Sequence, residues 1–403
     1  MAKSCMMPRI RSGSLSTSWA TGSGTSSTHA SDRSDDIGVS FMILKENEED
    51  RSRLGRGWDR GDLFRPARLL DIRYGHGLTK SESAKWPSFI AVANRTAWSN
   101  VQKYLAKEPE AVGIVRQLDW NHLEEVSQGL PSGAELVVGI GGGTALDASK
   151  YVALRHGLPL RLVPSAVSTG AIVHGVFAKW EGRSTVGGGS EWPYCDFEHV
   201  LVDYDLVLEA PQRLNTAGIG DVLCMYSGIA EWEYGAARGT APPVDEGLTG
   251  PAIDYFESIA RGFPETLDAD GALTADSIRF IMTSIQERDD RQFSSPYAPG
   301  TGHSMTLVIE QATQMGLVHG EMAAMGAVIV CWATVGAERL SHWLDVCNVR
   351  YRPGDIGLSR NDLKRSLEFA SEYFRDREPR SILVHEPVVG ERFDRLWQYL
   401  EDA

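Results

Sequence analysis

Cysteine is scarce and scattered in this chain. Five cysteines in 403 residues (Cys5, Cys195, Cys224, Cys331 and Cys347) include no Cys-x-x-Cys pair, which excludes a disulfide framework and a thiolate zinc site and fits a reducing cytoplasm. Long hydrophobic runs are also missing. The longest, roughly Met325 to Ala337, runs on into Glu338 and Arg339; it falls short of the ~20 residues a bilayer crossing needs, so it reads as a buried helix and no membrane insertion is expected. Positive charge is in deficit, with 40 Lys and Arg against 54 Asp and Glu and a formal charge of -14. That balance argues against nucleic acid and anionic lipid as partners. No acidic residue precedes Asp32, in a stretch rich in Ser, Thr, Gly and Arg. Residues 1–40 therefore read as a disordered tail, with a transit peptide as the alternative; without an apolar h-region no secretion is expected. No repeat of fixed period is present, which sets a solenoid aside.

What is there divides in two. The length suits two to three domains. From 41 to 208, short apolar runs alternate with helical stretches: FIAVAN (89–94), GIVRQL (113–118), ELVVGI (135–140), LRLVPS (160–165) and HVLVDYDLV (199–207). Continuous apolar runs between helices predict a parallel sheet covered on both faces, hence an α/β nucleotide-binding domain over 41–208. From 209 to 403 the strands give way to three- and four-residue apolar spacing over 215–236, 251–261, 274–287, 304–316, 320–345 and 360–374. This predicts an all-α second domain.

The segment ELVVGIGGGTALDASKYVA joins a strand (135–140) through Gly141, Gly142 and Gly143 to a helix that starts near Thr144 and includes Asp147 and Lys150. Glycines at a strand-to-helix turn let backbone amides approach a pyrophosphate, and the helix dipole favours that anion. Thr144 stands where the third glycine of GxGxxG would be, so a tight structural turn is the competing reading. The following strand ends in Val163, Pro164 and Ser165, with Ser168 just beyond. In a parallel sheet that loop opens at the same carboxyl edge, which favours the phosphate cradle.

Two of the ten histidines have a distinctive context. His303 enters an apolar helix from a glycine turn (PGTGHSMTLVIE), and His319 precedes another (GLVHGEMAAMG). Sixteen residues allow one helix out and the chain back, so both imidazoles can face one cleft. Asp221 in NTAGIGDVLCMYSGIAEW reads as the start of an apolar helix, where a carboxylate is either a cap or a metal ligand. Two imidazoles and one carboxylate would leave a coordination position open for a substrate oxygen; zinc, iron and nickel all suit such a set.

In this order, GIGGGTALDASKYVA, VPSAVST, VDYDLVLEAPQRLNTAGIGDVLCMYSGIAEW, GTGH and HGEMAAMG resemble the metal-dependent glycerol-1-phosphate dehydrogenases. That family is grouped with glycerol dehydrogenases, iron-containing alcohol dehydrogenases and, more distantly, dehydroquinate synthases. The resemblance spans roughly 85–335. It implies a dehydroquinate synthase-like fold: a nicotinamide domain, a helical domain and a metal between them. It also implies Asp221, His303 and His319 as metal ligands, and Gly141, Gly142, Gly143, Asp147, Lys150, Ser165 and Ser168 as cofactor-loop residues. Two departures stand out. Ser168, Thr169, Gly170 and Ala171 replace the family's Ser-His-Asp-Gly, and Met225 stands where the family often has Lys.

The expected chemistry is reduction of a small ketone, such as dihydroxyacetone phosphate, by a reduced nicotinamide beside a Lewis-acidic metal. His174 is a candidate proton donor in place of the missing acid. The strand ending at Asn94 is followed by Arg95 rather than Asp or Glu; Arg can pair a 2'-phosphate, so NADP is preferred to NAD and Asn94 joins the cofactor residues. A sugar-phosphate cyclase using NAD transiently and a catalytically inactive cofactor-binding regulator are the rivals. The expected partners are a small-molecule ketone or alcohol and further copies of the chain in a homo-oligomer, which apolar strands and 11 Trp permit.

Overall fold

The computed structural model describes residues 67–177, 180–181, 184–185, 195–291, 300–378 and 380–402. The tail expected over 1–40 falls outside the described residues, as does the start of the first domain. Six strands form one parallel sheet: β1 (Ile72–Gly75), β2 (Phe89–Ala93), β3 (Ala111–Ile114), β4 (Leu136–Gly141), β5 (Leu160–Pro164) and β8 (His199–Asp203), in the order β1-β8-β5-β4-β2-β3. A two-residue hairpin, β6 (Trp180–Glu181) with β7 (Ser184–Thr185), stands apart. Between the strands run helices α1 (Leu78–Ser83), α2 (Arg95–Val101), α3 (Trp120–Gln128) and α4 (Gly143–His156).

The sheet is buried on both faces, as its unbroken apolar runs predict. Phe89, Ala91 and Ala93 of β2 pack with Leu136, Val138, Ile140 and Val163 under one layer. Ile90 and Val92 point the other way, into a core shared with the helical region. The chain leaves β2 toward β3 on one side and returns through β4 toward β5 on the other. The order therefore reverses between β2 and β4, and the crevice at their carboxyl ends is where an open α/β sheet takes a ligand.

From residue 209 the described residues form helices: α5 (Gln212–Leu223), α6 (Tyr226–Ala237), α7 (Glu246–Gly262), α8 (Ala275–Arg291), α9 (Gly300–Thr313), α10 (His319–Ala333), α11 (Glu338–Val346), α12 (Arg360–Arg377) and α13 (Glu391–Asp402). Helix α10 carries the MGAVIVCWA run, and among its residues Met322 to Cys331 are all buried. It lies against α5 and α9, at the centre of the helical layer. No helix among the described residues is long and apolar enough to cross a membrane.

Four local expectations are corrected. The run 113–118 gives a strand only over Ala111–Ile114, because the Arg116 N–H turns out of the sheet to donate to His122 Nε2 at 3.1 Å. The span 215–236 is two helices, broken at Cys224 and Met225. The span 320–345 is also two, because Gly336 at φ +99° sends its N–H back to the Cys331 carbonyl and stops α10. Finally, Asp221 is the tenth of twelve residues in α5 rather than its first. It is therefore no N-cap; it stands near the negative end of the helix dipole, where a carboxylate is disfavoured.

Candidate active site

The glycine turn comes first, because backbone alone makes it. β4 ends at Gly141, whose φ of +139° suits no L side chain. A Cβ there would also press on Ala145 and Ala97, at 3.0 and 3.1 Å. Gly142 is the N-cap of the fourteen-residue α4, and open space lies where its Cβ would be. A strand end, an open N-cap and a helix N-terminus together form a cradle that fits a pyrophosphate. Asn94, at the end of β2, caps α2 by accepting the Ala97 N–H at 2.7 Å. Its amide nitrogen is 3.8 Å from the Cβ position at Gly141, so Asn94 flanks the cradle. Arg95 is exposed beside it.

The loop after β5 connects this cradle to the helical region. Ser165 N–H donates to the Gly141 carbonyl at 3.0 Å. A Cβ on Gly143 would lie 2.8 Å from Thr169 Cγ2, and one on Gly320 would lie 3.1 Å from the Ser168 carbonyl oxygen. Loop 165–170 thus touches both sides of the cleft. Lys150 is fully buried, and its ammonium donates to Ala171 O at 2.7 Å, Val176 O at 3.2 Å and Asp147 Oδ1 at 2.9 Å. With three protons engaged inside the protein, Lys150 ties α4 to the chain that follows the loop, and Asp147 neutralises it.

Asp221, His303 and His319, drawn from α5, α9 and α10, meet at one point. One ligand atom from each lies within 4.8 Å of the others. Both imidazole Nε2 atoms are 3.4 Å from Asp221 Oδ1 and 3.2 Å from each other. Asp221 is 1% exposed, yet its Oδ1 has no hydrogen bond of good geometry. A buried carboxylate oxygen left without a donor, aimed at two imidazole nitrogens, fits a divalent cation. Burial works to raise the Asp221 pKa, but the Arg288 charge and the two imidazoles outweigh it and hold the carboxyl well below the usual carboxylate range. Burial lowers His303; burial also works to lower His319, but the carboxylates of Asp221 and Glu310 together outweigh it and raise it.

A glycine stands beside each of the three. A Cβ on Gly220 would lie 2.7 Å from the Gly320 carbonyl oxygen, one on Gly302 would lie 2.6 Å from Ala327 Cα, and one on Gly320 would lie 1.9 Å from the Ala217 carbonyl oxygen. The helices therefore meet backbone to backbone beside these three side chains, which fixes them to rigid elements.

Sequence reasoning missed Arg288. It reaches in from α8, 9% exposed, with Nη1 2.7 Å from Asp221 Oδ2, and Gly170 N–H donates to the same oxygen at 2.9 Å. The signal was available: Ile278, Ile281, Met282 and Ile285 form the buried stripe of α8, and Arg288 continues it. A cation on an apolar stripe needs a buried partner. Met225, where a Lys was expected by resemblance, packs in the core at the start of α6. His174 Nδ1–H donates to Val176 O at 2.9 Å, and burial pushes its pKa down to about 4, which favours the neutral ring at pH 7. Its free Nε2 is then an acceptor.

Comparison with known proteins bears on the family and the fold. The family model for iron-containing alcohol dehydrogenases matches residues 90–211. A glycerol-1-phosphate dehydrogenase (NAD(P)+) of Aeropyrum pernix is 30% identical over 314 residues, which is 72% of this chain and 82% of that protein. One of the same description from Methanospirillum hungatei is 26% identical over 234 residues, 56% of this chain and 61% of its own length. Among solved structures, a probable glycerol dehydrogenase from Sinorhizobium meliloti shares the fold with a TM-score of 0.59 at 18% identity, over 83% of this chain and 98% of that one. The glycerol dehydrogenase of Schizosaccharomyces pombe follows at 0.55 and 16%, over 83% and 90%. By this likeness, and with a parallel α/β sheet followed by a helical region, the chain belongs to the glycerol-1-phosphate dehydrogenase family, among the iron-containing alcohol dehydrogenases.

Proposed function

We propose that this chain is an NAD(P)-dependent, metal-assisted dehydrogenase of a polyol phosphate, interconverting a small ketone such as dihydroxyacetone phosphate and the secondary alcohol glycerol 1-phosphate. The observation that carries this reading is the convergence of Asp221, His303 and His319 within 4.8 Å, on a cleft whose loop also touches the glycine cradle. The three side chains would hold a divalent ion, and Gly141, Gly142 and Gly143 with the first turn of α4 would hold the dinucleotide. When bound, the ion supplies Lewis acidity to a carbonyl oxygen and the reduced nicotinamide supplies hydride. The chain itself supplies position and electrostatics. Gly170 N–H and Arg288 hold one oxygen of Asp221 and leave the other facing the imidazoles. Neutral His174, about 3.5 Å from the Cβ position of Gly170, offers Nε2 to orient a hydroxyl or accept its proton. Exposed Arg95 beside the cradle favours the 2'-phosphate of NADP.

The test is consumption of NADPH or NADH by zinc-loaded protein given dihydroxyacetone phosphate or a panel of unphosphorylated hydroxyketones, with a chelator-treated control. Chelator-sensitive oxidation with the phosphorylated ketone, faster with NADPH, is the expected result. Tight nucleotide binding without turnover on any ketone would refute the reading.

A further inference from the structure

Asp221 is approached from two sides. Its Oδ1 faces the two imidazoles, while its Oδ2 lies 2.7 Å from Arg288 Nη1, which also donates to the Asp221 backbone oxygen at 3.0 Å. The far end of the guanidinium, Nη2, donates to Asp289 Oδ1 at 3.1 Å. Gly170 makes this possible. A Cβ there would lie 2.1 Å from Arg288 Nη2 and 3.2 Å from its Cζ, so a side chain at 170 and the guanidinium exclude each other.

Orientation and charge can be separated at this contact. The Gly170 amide already fixes the direction of Oδ2, at 2.9 Å. What Arg288 adds is a bond to the Asp221 backbone oxygen and a permanent positive charge, shared with Asp289. Against a divalent ion sharing the same carboxylate, that charge is repulsive, and the low polarity of the surroundings does little to screen it. Without any second cation, Asp221 would be a buried carboxylate near the negative end of α5, a costly arrangement.

We propose that Arg288 is a positioning residue that shares Asp221 with the metal: a resident counter-ion that stabilises the ligand cluster when no metal is bound and lowers the affinity for metal. By withdrawing electron density from Asp221, it also leaves a bound ion more electrophilic. This rests on the metal-site reading above.

The test measures Zn2+ and Co2+ affinity of the full chain by competition with a chromophoric chelator, together with thermal unfolding of the chelator-treated protein. In Arg288→Met, metal affinity is expected to rise about tenfold or more while the metal-free protein unfolds at lower temperature. Arg288→Lys, which keeps the charge, should stay near the parent in both. Gly170→Ala, which displaces the guanidinium, should move affinity in the same direction as Arg288→Met, and combining the two should add little; it carries the comparison if Arg288→Met does not fold. Unchanged or weaker affinity in the displaced variants, with a parent that binds metal, overturns this inference and leaves the metal site standing. A parent that binds neither ion overturns both.

Discussion

The glycine cradle and the Asp-His-His cluster share loop 165–170, yet they are made by opposite means. The cradle consists of backbone from one continuous segment, the end of β4 and the start of α4. The cluster consists of side chains from three helices, brought together over a sequence distance of nearly one hundred residues. A site made of backbone is specified locally and depends on dihedral angles and helix dipoles. A site made of side chains depends on the packing of everything between its members, and on their protonation.

The largest effect should come from the cluster. Asp221→Asn or His303→Ala is expected to lower turnover by about a hundredfold to a thousandfold, with nucleotide binding retained. Steady-state rates beside NAD(P)H fluorescence titration measure both, and unchanged rates would break the comparison. A second effect concerns protonation. Glu231 on α6 is buried, accepting from Thr301 at the start of α9 and from Ile382 N–H. Burial raises its pKa from the ordinary 4.5 to about 7. The folded state thus holds this proton to higher pH than the unfolded chain does, so its contribution is full below pH 4.5 and is lost as pH rises through 7. Stability should fall by about 1–3 kcal/mol across that window. Urea midpoints should show a shallower slope in Glu231→Gln, and an identical slope would remove Glu231 as the source. The smallest effect belongs to the cradle. Gly141→Ala forces a side chain onto φ +139° and should weaken nucleotide binding by about tenfold, with Zn2+ affinity unchanged. Loss of metal binding in that variant would show that the two sites are not separable.

The same contrast explains what could be read from the sequence. Strands β2, β4 and β5 were legible to within a residue because burial on both faces leaves unbroken apolar runs. Edge strand β1, with its half-buried Ile-Arg-Tyr-Gly, leaves no such trace. The break between α5 and α6 has no glycine or proline at Cys224 and Met225 to mark it, so helical periodicity reads straight through. His303 and His319 are marked by glycine turns ahead of apolar helices. The position of Asp221 within its helix is not marked, because where a helix begins is decided by the Pro211 turn rather than by the carboxylate. Arg288 was lost for a different reason: an arginine among acidic neighbours looks like a solvated helix end until its place on the Ile278 to Ile285 stripe is traced.

The three glycines beside Asp221, His303 and His319 also decide where such a site can change over generations. A larger residue at 220, 302 or 320 would press on the facing helix and displace Asp221, His303 and His319 together, so exchange there is costly. Loop 165–170 meets Asp221 and the Gly320 position through its backbone, so exchanges of its side chains can alter the surroundings of the cluster while those contacts stay in place. Gly170, which admits a guanidinium from a distant helix, is one such exchange. New substrate preferences in this scaffold are open to entry through that loop, one residue at a time.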